Sequence, residues 1–194
     1  MPAVSFAPYR RALRSKPLRT ALVLGTLVRM PVFASTVLLT IHVVSSLDRS
    51  YTAAGVLAAA ATVAIAVSGP WLDRYGLRRV VLPSILVALV CWSIAPFVGY
   101  YLLLGLAVLA GLFVIPTFCI TRQAVIAAVG EGERRTAISL DAVAVELSFI
   151  VAPAVAVWAA TVWDTSWVLF WIQMLGVGAG ILMYVVDPPL RGEG

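Results

Sequence analysis

Gly69-Pro70-Trp71-Leu72-Asp73-Arg74-Tyr75-Gly76-Leu77-Arg78-Arg79 places four charged side chains within residues 73–79, between two long apolar runs. In a soluble protein this would be an ordinary solvated loop. Here it is an interruption, because 62% of the 194 residues are hydrophobic, 12% are charged and the mean hydropathy is +1.01. Soluble domains use only about 45–50% apolar residues. The composition reads as an all-α integral membrane protein, and the charged stretch as a turn between two spans.

A bilayer-crossing helix needs about 20 mainly apolar residues. Six runs meet that need, at 20–44, 51–72, 79–98, 101–127, 136–160 and 166–186. They define a six-helix transmembrane bundle over 20–186, with a basic segment at 1–19 and a short tail at 187–194. The first run exceeds the ~7–15 apolar residues of a signal peptide, so it is expected to stay in the membrane. Lys and Arg favour the cytoplasmic side. Arg10, Arg11, Arg14, Lys16 and Arg19 precede the first span, Arg74, Arg78 and Arg79 follow the second, Arg134 and Arg135 follow the fourth, and Arg191 follows the sixth. The opposite loops carry Arg49 alone. Both termini are therefore expected in the cytoplasm, with the chain in the cell membrane and its bilayer as a partner. Trp158, Trp163, Trp167, Tyr100 and Tyr101 then fall at the outer interface, where amphipathic rings are favoured.

Small residues at 53–61 in the second span and at 176–180 in the sixth read as close-packing faces. Gly130-Glu131-Gly132-Glu133-Arg134-Arg135 is a polar hinge, expected to divide the chain into two three-helix blocks. One His and two Cys leave too few ligands for a structural zinc site, which needs about four. Cys91 and Cys119 read as inert core residues. No soluble basic domain exists to hold a nucleic acid, despite the net charge of +5. No cofactor or metal is implied. Enzymatic function fares poorly too: the lone His42 and the lone Lys16 lie near opposite ends of the first span, and no phosphate-binding loop is present.

Within the opening stretch, Gly69 permits close helix approach and Gly76 a tight reversal. Asp73 is expected near the start of the third span, where a helix dipole favours an anion, and Arg78 and Arg79 sit in an anionic headgroup layer. The constellation Gly69, Asp73, Arg74, Gly76, Arg78, Arg79, between the second and third spans, resembles the signature cytoplasmic loop of the major facilitator superfamily. Glu133-Arg134-Arg135-Thr136-Ala137 is similar to the segment that opens the fifth helix in that family. Ala152-Pro153 stands where exporters carry Gly-Pro, without their flanking glycines. The resemblance implies twelve helices in two six-helix halves, each built from two three-helix repeats, around a mid-membrane site. This chain would supply the first half, and Asp187 to Gly194 look like the start of a central loop. The opposing wall would come from a second six-helix half or another copy of the chain.

Four charges lie deep inside the predicted spans, away from their ends: Arg29, Arg122, Asp141 and Glu146. Arg29 is about 15 Å from the start of its span at 1.5 Å per residue. A charge at that depth costs at least about 2.5–3.5 kcal/mol unless it faces a cavity or a partner. Counting depth pairs Arg29 with Glu146 and Arg122 with Asp141. Asp141 and Glu146 diverge by about 140° around one helix, so one cavity does not hold both. Two roles stand for Glu146: a proton-coupling carboxylate, or half of a permanent ion pair. His42 is expected to be structural or exposed, with a proton relay as the alternative. The function implied is transport of a small solute by alternating access, coupled to a gradient. The alternative is a non-transporting remnant or membrane scaffold.

Overall fold

The computed structural model describes residues 7–75, 77–114 and 117–186, with side chains excepted at 7, 8, 11, 69–75, 77–80 and 186. Helix α1 (Ala7–Ala12) is a single short piece. It is followed by α2 (Lys16–Ile41), which ends in a π-helical turn over His42–Ser46. Then come α3 (Tyr51–Tyr75), α4 (Leu77–Ile94), α5 (Tyr100–Leu112), α6 (Thr117–Ala127), α7 (Arg134–Val162) and α8 (Thr165–Val186). Five stretches of the described residues are long and apolar enough to cross a membrane: Lys16–Ser46, Tyr51–Ser68, Tyr100–Ala127, Glu131–Val162 and Thr165–Val185. A shorter apolar helix covers Val81–Phe97.

Inside an apolar slab each helix must satisfy its own backbone and its polar side chains. Many hydroxyls comply by bonding back one turn, although the buried Ser84 Oγ has no partner among the described residues. Thr26 Oγ1 donates to the Leu22 carbonyl at 2.9 Å, Thr62 to Ala58 at 2.8 Å and Ser148 to Ala144 at 2.7 Å. Within α2, Pro31 lacks the N–H that would close a helical bond, and its own carbonyl accepts from Ser35 Oγ at 2.5 Å.

The fourth predicted span, 101–127, is two helices. The last turn of α5 tightens as Phe113 N and Val114 N donate to the carbonyls of Ala110 and Gly111 at 3.3 and 3.2 Å. Pro116 follows in the sequence; a proline cannot donate and biases its predecessor away from helix. Helix α6 then restarts at Thr117. The opening stretch needs a correction as well. Backbone from Gly69 to Tyr75 continues α3 and Leu77 opens α4, so Asp73 stands in the last turn of α3 and not at the start of the following helix. Gly76, the side chains of Asp73, Arg74, Arg78 and Arg79, and the tail 187–194 lie outside the described residues.

Helix α2 is the hub, packed along α7, α8 and α6, while α5 packs on α3 and α4, and α4 on α8. Numbering the spans α2, α3, α4, α5–α6, α7 and α8 as one to six, the first lies on the fifth and sixth, and the fourth on the second and third. The third meets the sixth, and the first meets the fourth. Exchanging each span with the one three places away returns the same set of contacts. Short connections make successive spans antiparallel, so the two three-helix units are inverted repeats. They meet at Ala95–Gly99, between α4 and α5, which corrects the expectation that Gly130–Arg135 divides them.

Small residues set the closest approaches. A Cβ on Gly111 would meet the Ala61 carbonyl and the Ala64 Cβ, each at 3.0 Å, where α5 crosses α3. The buried stripe of α3 is Ala54, Leu57, Ala64 and Ser68, while Gly55, Ala58 and Ala59 face outward. Outward faces are strongly apolar: Val63, Ile150, Leu175 and Val185 are all more than 60% exposed, as a lipid-facing surface requires.

Candidate functional site

The register of α2 against α7 positions the charges. Ala21 shares a packed cluster with Ala137, Ala34 with Ala152 and Ala156, and Leu38 with Ala159. The two helices therefore run parallel, and interpolation sets the backbone of Arg29 level with that of Glu146. Depth counting is right about the backbone and wrong about the partner. A helical side chain leans toward its helix N-terminus, and arginine is long enough to reach about one turn. Helix α7 turns Ala137, Asp141, Ser148, Ala152, Ala156 and Ala159 inward. Arg29 thus pairs with Asp141, and the expected Arg29–Glu146 pair is not formed. Glu146 lies off the buried stripe, is exposed, and has no ion-pair partner among the described residues.

Arg29 is 1% exposed and Asp141 2%. Arg29 Nη1 donates to Asp141 Oδ1 at 2.6 Å, and Nη2 donates to Asp141 Oδ2 at 3.4 Å and to Thr121 Oγ1 at 2.7 Å. Thr121 in turn donates to the Thr117 carbonyl at 2.8 Å. The two-pronged contact uses the guanidinium fork, while Nε has no partner among the described residues. Gly25, one turn before Arg29, leaves room for the head: an added Cβ there would stand 3.4 Å from Nη1 and 3.5 Å from the Thr121 Cβ.

Arg122 is the second cation. Its Nε lies 4.0 Å from Asp141 Oδ2, with the side chain 60% exposed. The expected Arg122–Asp141 pairing is therefore a long, outward-leaning contact, secondary to Arg29. Two guanidinium groups around one carboxylate leave the cluster with an excess of one positive charge.

An aromatic layer borders the pair. The Arg29 guanidinium carbon is 5.5 Å from the Phe118 ring centroid, within cation–π range. Phe33 meets Phe118 edge-on at 5.7 Å and Phe149 at 5.3 Å, so α2, α6 and α7 each contribute one ring. Sequence reasoning missed Thr121 and these rings. Thr121, beside Arg122, and Phe33, one turn beyond Arg29, were the available signals. Phe118 and Phe149 carried none, because one apolar residue in an apolar span looks like the next.

His42 is buried, and neither ring nitrogen has a partner among the described residues. The structure thus removes the exposed reading of this residue. Cys91 is buried as expected, but Cys119 is exposed on α6, since its side chain falls off the face that carries Ile120, Thr121 and Ala124. Among the described residues no three His, Cys, Asp or Glu side chains converge as metal ligands.

A family model described as Major Facilitator Superfamily matches residues 13–194. None of the curated proteins compared matches the chain.

Proposed function

This chain belongs to the Major Facilitator Superfamily of membrane transporters, and from that premise we propose that it carries a small solute across the bilayer by alternating access. It contributes one six-helix wall, with α2, α6 and α7 lining the site, and a second six-helix unit supplies the other. The excess of Lys and Arg in the 1–19, 73–79 and 134–135 segments supports an orientation with both termini in the cytoplasm.

The observation that carries this reading is the buried Arg29–Asp141–Thr121 cluster with Arg122 beside it. Charge within a span is expensive and concentrates on solute and ion pathways. The cluster's excess positive charge favours a solute bearing a negative group, met by the outward-leaning Arg122 while Asp141 stays with Arg29. Glu146, level with Arg29 and unpaired among the described residues, is the proton-coupling carboxylate.

The test begins with thermal-shift binding of a panel of small organic anions, zwitterions and cations to the purified protein, followed by flux in proteoliposomes. Anionic binders are expected, with binding lost in Arg122→Gln. Glu146→Gln is expected to retain exchange of labelled for unlabelled solute while losing accumulation driven by a pH gradient. Undiminished gradient-driven accumulation in Glu146→Gln would remove the coupling role. A chain that moves no solute, alone or with a second six-helix unit, would leave the scaffold alternative.

A further inference from the structure

Helices α7 and α8 are neighbours in sequence, yet each packs more extensively on α2 than on the other. The cleft between them holds two apolar cavities, of about 400 and 470 Å³, that share Val155, Ala156 and Ile172. They form one groove, which runs past Gly178 toward Leu182 at its deep end. Its length along α8, from Trp167 to Leu182, is about 22 Å at 1.5 Å per residue. That exceeds the ~15 Å depth of one leaflet's hydrocarbon.

The mouth differs from the rest. Trp163, Trp167 and Trp171 line it with Asp164, and the three indoles are 54–62% exposed. Asp164 Oδ1 accepts the Ser166 backbone N–H at 2.9 Å and so caps α8. Asp164 has no cation paired with it among the described residues. A carboxylate sharing a cavity wall with three indoles can attract an ammonium group through charge and cation–π contact together. An apolar trough that long, opening at an interfacial tryptophan belt, takes a hydrocarbon tail.

We propose that the α7–α8 groove binds a phospholipid with a cationic amine headgroup, drawn from the leaflet at the Trp163–Asp164 end. The ammonium lies at Asp164 among the indoles and one acyl chain fills the trough. Met30 and Pro31 of α2 form part of its floor, but none of Arg29, Thr121, Arg122 and Asp141 lines it, and the inference stands whether or not the chain transports.

Native mass spectrometry of the full chain, released from nanodiscs of equimolar phosphatidylethanolamine and phosphatidylglycerol, tests it. One phosphatidylethanolamine retained per chain, about tenfold over phosphatidylglycerol, is expected. Asp164→Asn keeps the helix cap and removes the charge, so it is expected to abolish that preference while lipid is still retained. Gly178→Phe fills the trough at a position where an added Cβ meets nothing within 4 Å, and is expected to lose the lipid; Val155→Trp, on the other wall, repeats this. Equal retention of both lipids by the unaltered chain would overturn the headgroup assignment. Retention unchanged in both filled variants would overturn the groove as the site. So would a lipid-free dimer that Gly178→Phe dissociates, because a second copy would then be the occupant.

Discussion

At the scale of single residues, the central fact is that Asp141 is the one carboxylate on Arg29 among the described residues. Removing one member of a buried pair strands the other charge, which costs about 3–5 kcal/mol, whereas replacing both with apolar residues is often tolerated. Asp141→Leu alone is therefore expected to lower the unfolding midpoint in detergent sharply, and Arg29→Leu with Asp141→Leu to recover most of it. Equal stability of the single variant and the unaltered chain would show that the pair is not made. Glu146→Gln changes an exposed side chain and is expected to shift stability by less than about 0.5 kcal/mol, read by the same unfolding curve. The existence of intramembrane charges was legible from residue identity and span position. Their pairing was not, because it depends on which face of α7 turns inward and on how far a guanidinium leans down its own helix. One signal was present in the sequence: Gly25, one turn ahead of Arg29, vacates the volume that the guanidinium enters.

At the scale of helices, close approach at glycine makes a sharp comparison. Gly111→Ala drives a methyl against the Ala61 carbonyl and the Ala64 Cβ, both at 3.0 Å, so α3 and α5 must part. Overpacking of this kind costs about 1–3 kcal/mol. Gly105→Ala, on the same helix, meets nothing within 4 Å and is expected to leave the midpoint unchanged or raise it. Thermal unfolding of the two variants side by side checks the pair. If Gly105→Ala were the more damaging, the register of α5 on α3 would be wrong. The break between α5 and α6 was partly legible. Pro116 marks where a helix cannot continue undisturbed, but span length alone argued for an unbroken crossing. That break matters to the site, because α6 carries both Phe118 and Thr121 to the α2–α7 junction.

At the scale of the whole molecule, the contact pattern repeats under exchange of spans three apart, and large apolar side chains cover its outside. If a working transporter forms from two copies, light scattering on the purified chain, with detergent mass subtracted, is expected to give twice 20.7 kDa. A monomer would exclude a pair of copies as the source of the opposing wall. Cysteines at Asp73→Cys and Thr136→Cys, in a background without Cys91 and Cys119, report the same question through the signature loop. We propose that Asp73 meets Arg134, Arg135 and the start of α7 in another unit; an intermolecular crosslink that changes with transport state is then expected, and its absence in every state would exclude that contact.

The amino-acid sequence by itself determined that this is a multi-span helical membrane protein, because apolar runs of bilayer length have no other stable fate and their order carries a recognisable charged loop. It also determined which charges lie within the spans, since few are available and their positions are explicit; that only Arg29 and Asp141 of the four are buried it did not determine. Only the tertiary structure decided that Asp141 and not Glu146 holds Arg29, that α5 and α6 are separate helices, and that a long apolar groove separates α7 from α8. Each of these follows from helix rotation, side-chain reach or packing distance, and nearly uniform hydrophobicity along a span leaves no periodic pattern from which to read them.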